Sequence, residues 1–119
     1  MTEENEHPHV ASLEAADALG REGAKAQRID IDFIKSQIDH HWWTTGDRCI
    51  PERSKILAHE PLKRLTLCFM VMKSGFIVVG KSVPLNAVNF DAEKGRVFSY
   101  EDCIRQLWPM FAFHWLQKQ

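Results

Sequence analysis

The sequence predicts an α+β fold: an N-terminal helix, a β-hairpin and a long C-terminal helix broken near Pro109, with a mobile arm in front. Three observations carry this. Isoleucines recur at helical spacing after Asp30. Two apolar runs flank a glycine-containing turn between residues 65 and 79. From Val97 to Trp115, large apolar residues then return every three or four positions.

The arm is read from charge and breakers. Residues 1–28 hold six acids and three bases, whereas residues 29–119 hold ten acids and twelve bases. Leu13, Ala16 and Leu19 could line a short helix, but Gly20 and Gly23 stop it after about two turns, too short to persist without packing. Residues 1–28 are therefore expected to form a mobile acidic arm, and residues 29–119 a single domain. Ile31, Ile34 and Ile38 fall at steps of three and four, with Asp30 and Asp32 at the positive end of the helix dipole, which predicts a helix running to about Trp42. Thr44 to Pro61 shows no period and contains Gly46, Pro51 and Pro61, so it reads as a long connection with a turn of helix over 52–58.

Leu65 to Met72 and Phe76 to Val79 are rich in branched and aromatic residues, and Lys73-Ser74-Gly75 separates them. This is a hairpin pattern. Both of its faces are apolar, Leu65, Leu67, Phe69 and Val71 on one and Cys68, Met70 and Met72 on the other, so each needs cover from helix or from a partner chain. Asn89-Phe90-Asp91 offers capping side chains to the last helix, and Val97, Tyr100, Ile104, Leu107, Phe111 and Trp115 form its core-facing stripe. Pro109 lacks an N–H and clashes with the preceding turn, which predicts a kink or break at 107–109 and a short aromatic helix beyond it.

The 119 residues suffice for one core. With 45% hydrophobic and 26% charged residues the chain is expected to fold, and a net charge of −1 excludes nucleic-acid binding by bulk electrostatics. No stretch reaches the ~20 apolar residues of a membrane span, and Met1-Thr2-Glu3-Glu4 starts no secretion signal, so neither membrane nor export is expected. Cys49, Cys68 and Cys103 cannot all pair and show no Cys-x-x-Cys spacing, which points to a reducing compartment.

Four sets of residues are candidates for chemistry or binding. His7, His9, His40, His41, His59 and His114 could suggest a metal site with Cys49, but adjacent histidines on a helix diverge by ~100°, so no metal or other cofactor is expected. Cys49 lies near Arg48 and Arg53, yet no base or oxyanion site accompanies it, so no enzymatic activity is expected. Trp42 and Trp43 beside Arg48, Arg53, Lys55, Lys63 and Arg64 combine rings that stack with bases that grip phosphate, or else make a loop over a core. Phe111, Phe113, Trp115 and Leu116 with Met110 cover more than one helical face, enough to fill a core or to leave an interface patch.

The ordered series Leu65-Thr66-Leu67-Cys68, Met72-Lys73-Ser74-Gly75-Phe76, Val78, Gly80, Ser82, Asn89-Phe90-Asp91-Ala92-Glu93, Gly95-Arg96 and Ile104, Leu107-Trp108-Pro109 resembles the phage gene-product forty-nine/sixty-six family, small accessory proteins of tailed phages and prophages. The resemblance covers about residues 30–119. The turn here reads Lys-Ser-Gly-Phe where the family usually has Lys-Asn-Gly-Phe, and Val83-Pro84 replaces a frequent Ala-Cys. The family brings no reaction, cofactor or catalytic residue to carry over. Its phage setting implies a protein of the infected host's cytoplasm, acting non-enzymatically on a host or phage protein such as a component of bacterial defence. Trp42, Trp43, Phe111 and Trp115 are the expected anchors, since aromatic residues concentrate binding energy. The alternative is a nucleic-acid or nucleotide binder using Arg48, Arg53, Lys55, Lys63 and Arg64. A homodimer is a further expectation, because a lone hairpin with two apolar faces leaves its edges and one face bare.

Overall fold

The computed structural model describes residue 13, residues 29–52 and residues 60–118. Over these the chain is α+β, with a first helix α1 (Ile31–Ser36), strands β1 (Ile38–Thr45), β2 (Thr66–Met72) and β3 (Ile77–Ser82), and a long second helix α2 (Ala92–Gln117). The strands form one antiparallel sheet in the order β1-β2-β3. Apart from Leu13, which packs against the core, the arm expected at 1–28 lies outside the described residues.

Asp30 caps α1 by accepting the Phe33 N–H at 2.9 Å, and Ile31 and Ile34 are buried beneath it. The helix ends at Ser36, not near Trp42. Its expected second half is strand, and the reason is local. Residues 40–45 read His-His-Trp-Trp-Thr-Thr, aromatic and β-branched types that suit a pleated surface. The pairing of β1 with β2 skips between Ile38 and His40, so a bulge at Asp39 turns both Ile38 and His41 toward the core. A three-residue step between inward-facing side chains imitates helical spacing, which is why the isoleucine pattern extends misleadingly through Ile38. His40 and His41 accordingly sit in a strand, not at a helix end.

The hairpin forms as its sequence predicts. Gly75 adopts φ +91°, a conformation that glycine accepts without strain, and the Met72 N–H donates to the Phe76 carbonyl at 2.8 Å to close the turn. Along β2, Thr66, Cys68, Met70 and Met72 are buried while Leu67, Phe69 and Val71 are only half-buried. Helix α2 lies on the first of these faces. Asp91 caps it by accepting from the Glu93 and Lys94 N–H groups at 2.9 and 3.1 Å, and Ser99, Tyr100, Cys103, Ile104 and Leu107 complete the core with Ile31, Ile34 and Val78. Contact is close because β3 has glycine at its crossing: a Cβ on Gly80 would overlap the Ser99 carbonyl oxygen and meet Cys103 Sγ at 2.8 Å.

The expected break at Pro109 is replaced by one continuous helix. Proline cannot donate to the carbonyl four residues back, that of Arg105, and both residues are solvent-exposed, so water can serve that carbonyl. The 26 residues of α2 span ~39 Å against ~23 Å for the seven of β2, so the helix outruns the sheet. Among the described residues none after Leu107 is fully buried. The overhang is held by Phe111, whose ring meets Phe33 of α1 edge-on at 5.6 Å. Among the described residues no helix is long and apolar enough to cross a membrane.

Candidate functional site

The register fixes a surface that the sequence alone could not assemble. On the face away from α2, cross-strand partners form three rows: His40, Val71 and Ile77; Trp42, Phe69 and Val79; Thr44, Leu67 and Lys81. Six of these nine side chains are hydrocarbon or aromatic in character, counting Trp42 and setting aside His40, Thr44 and Lys81. Among the described residues no helix covers them: Trp42 is 43% exposed, Ile77 64% and Val79 45%. An exposed apolar face of this kind is uncommon on a monomeric soluble protein. The two ionisable members of these rows, His40 and Lys81, occupy opposite corners, and the exposed Asp39 of the bulge lies next to His40.

The expected anchors divide between the two sides of the sheet. Trp42 lies at the centre edge of the open face. Trp43 points the other way, packs against the core and donates its indole N–H to the Arg96 carbonyl at 3.0 Å. His41, next to it, is buried edge-on against Trp43 and Tyr100, with centroids at 5.0 and 5.3 Å. Phe111 and Trp115 are half-buried on the overhang of α2, while Met110, Phe113 and Leu116 are exposed there. Phe69, Ile77 and Val79 were not among the expected anchors. Their apolar alternation was visible, but their union with Trp42 depends on β1 being a strand.

The basic residues of the 42–64 segment do not gather into one described patch. Arg53 and Lys55 lie outside the described residues. Lys63 is paired with Glu60 at 3.0 Å, and Arg64 has a buried Nε without a hydrogen-bond partner. Arg48 is exposed in a 3-10 turn, Gly46–Cys49, where it borders a cleft with Trp43, Thr44, Thr45, Phe90 and Arg96. Sequence reasoning missed Arg96, which reaches this cleft from the first turns of α2. Asp47 sits beside Arg48, and a hydrogen bond from the Thr45 side chain, with Arg48 adding a smaller attraction, holds its carboxyl below the ordinary value of 3.8.

The cysteines occupy different environments. Cys49 is exposed, and its thiol contacts the Thr45 carbonyl at 3.8 Å. Cys68 and Cys103 are buried where β2 meets α2, and the Cys103 thiol donates to the Cys68 carbonyl at 3.5 Å. Hydrogen bonding with the Cys103 side chain, and then burial, push the Cys68 thiol well above its ordinary 9.0. Among the described residues no group of three or more His, Cys, Asp or Glu side chains could hold a metal ion.

Comparison with known proteins places these features in context. The family model described as "Phage protein (N4 Gp49/phage Sf6 gene 66) family" matches residues 17–119. No curated protein and no solved structure matches the chain significantly.

Proposed function

The chain belongs to the phage protein (N4 Gp49/phage Sf6 gene 66) family, and we propose that it is a non-enzymatic accessory protein whose open sheet face docks a host or phage protein in the cytoplasm of the infected bacterium. The observation that carries this reading is the uncovered trio Trp42, Phe69 and Val79 with Ile77 beside it. Burying such side chains supplies association energy, and a large aromatic residue at the middle of a face is the usual form of an energetic anchor. The face favours a partner with an apolar surface and an acidic rim, because Lys81 stands at its corner with no carboxylate in the three rows beside it. A component of bacterial antiphage defence is the candidate class, on the strength of the phage family alone.

Affinity capture from bacterial lysate tests this when face variants are compared with the wild-type chain. The expected result is one reproducibly enriched protein that Trp42→Ala retains about thirtyfold more weakly, the equivalent of a ~2 kcal/mol hot spot. Lys81→Glu should slow its association at low salt. Capture that survives both substitutions in folded protein, or no enriched protein at all, would defeat the reading.

A further inference from the structure

We propose that Arg48 and Arg96 form a receptor for one phosphate-sized oxyanion, in the cleft between the end of β1 and the first turns of α2. The cleft measures about 170 Å³, below the ~300 Å³ at which pockets begin to enclose drug-sized ligands, so it admits a single tetrahedral or carboxylate group with some water. Arg48 and Arg96 come from separate elements to line it, and neither guanidinium is in an ion pair among the described residues. Two cations lining one small cleft favour an anion within it. The guanidinium fork suits an oxyanion in particular, offering paired N–H donors at the spacing of two phosphate or carboxylate oxygens.

The surroundings support the same ligand. The Thr66 hydroxyl, which also lines the cleft, is buried and has no hydrogen-bond partner, leaving it able to turn its proton toward an anion. The Trp43 indole bond to the Arg96 carbonyl ties β1 to α2, so the two walls are held before any ligand arrives. Phe90 lines the cleft as well, giving an apolar wall that limits competition from water. The one carboxylate next to Arg48 is Asp47, which is not among the cleft's lining residues.

Trp42, the anchor of the sheet face, does not line this cleft, since Trp43 and Trp42 lie on opposite sides of the sheet. An oxyanion could come from free phosphate or from the terminal phosphate of a nucleotide whose remainder lies outside the cleft. Titration of the full isotopically labelled chain at low salt, reading the Trp43 indole N–H by NMR, tests both with inorganic phosphate and adenosine monophosphate. A saturable shift is expected, weakened about tenfold or more in Arg48→Gln and in Arg96→Gln, with Arg48→Lys between them and wild type because it keeps the charge but loses the fork. Tighter binding of the nucleotide identifies the phosphate as part of a larger ligand, and equal binding identifies free phosphate. No shift up to about 10 mM of either ligand, or binding unchanged in both glutamine variants while their thermal midpoints match wild type, overturns the proposal.

Discussion

Trp42 and Trp43 are adjacent in sequence and perform opposite tasks, because successive residues of a strand face opposite sides of the sheet. One belongs to the open face and the other holds β1 to α2 through its hydrogen bond to Arg96. Both were expected from the sequence to be partner anchors, but which indole faces solvent was not legible, since that follows from the strand and its bulge. The cysteines were read more directly. Cys68 and Cys103 stand in apolar patterns and are core residues, while Cys49 stands in a polar turn and is exposed. A thiol reagent at pH 8 is therefore expected to modify Cys49 in the folded chain, and Cys68 and Cys103 only on unfolding. Because the folded Cys68 value is raised above 9.0, its neutral thiol favours the fold fully below about pH 9, and that advantage declines at higher pH as the unfolded chain ionises. Thermal midpoints measured from pH 8 to 10.5 should fall, and fall less in Cys68→Ser. Equal reactivity of all three thiols in native protein would contradict this account.

At the scale of elements, the hairpin and the last helix could be read because each is specified locally, by a glycine turn with alternating runs and by Asp91 with a helical stripe. The first helix was overextended because the bulge at Asp39 gives β1 an inward step of three, and no local signal separates that from a helical turn. Pro109 was overread for the opposite reason: the helix tolerates it where the deprived carbonyl faces solvent. The β3 edge shows a device that sequence could not reveal. Asp102 accepts the Lys81 N–H at 2.9 Å, and Gln106 donates to the Val79 carbonyl at 2.8 Å, so side chains of α2 occupy the outward backbone groups of the edge strand. Natural sheets need such protection against pairing with other chains. The double variant Asp102→Ala, Gln106→Ala should lose about 1–2 kcal/mol, lower the thermal midpoint by several degrees and aggregate more readily on heating. A variant as stable and as soluble as wild type would show that the two bonds do not guard the edge.

For the whole molecule, the case for a homodimer changes its basis. The hairpin is no longer alone, since β1 pairs with one side of it, α2 covers one face, and two side chains of α2 guard the far edge. Two of the surfaces that remain bare are the sheet face and the stripe Met110, Phe113 and Leu116 on the overhang of α2. Two copies of that stripe, crossed about a two-fold axis, are the simplest mutual cover. His114 and Lys118 are exposed along the same stretch, Arg105 just before it is paired with Glu101 at 3.8 Å, and no acidic residue follows Asp102. Self-association therefore brings like charges together, whereas a partner with an acidic rim on the sheet face brings opposite ones. Salt separates the two contacts by sign, because screening relieves repulsion, weakens attraction and leaves apolar burial in place. Light scattering at high micromolar concentration should give a mass rising from 13.8 kDa toward twice that value as salt increases, and Phe113→Glu with Leu116→Glu should hold it at 13.8 kDa. Partner capture by the sheet face should weaken over the same salt range. A wild-type mass of 13.8 kDa at every salt concentration would mean that the overhang does not pair with its own copy, and the dimer would have no remaining support.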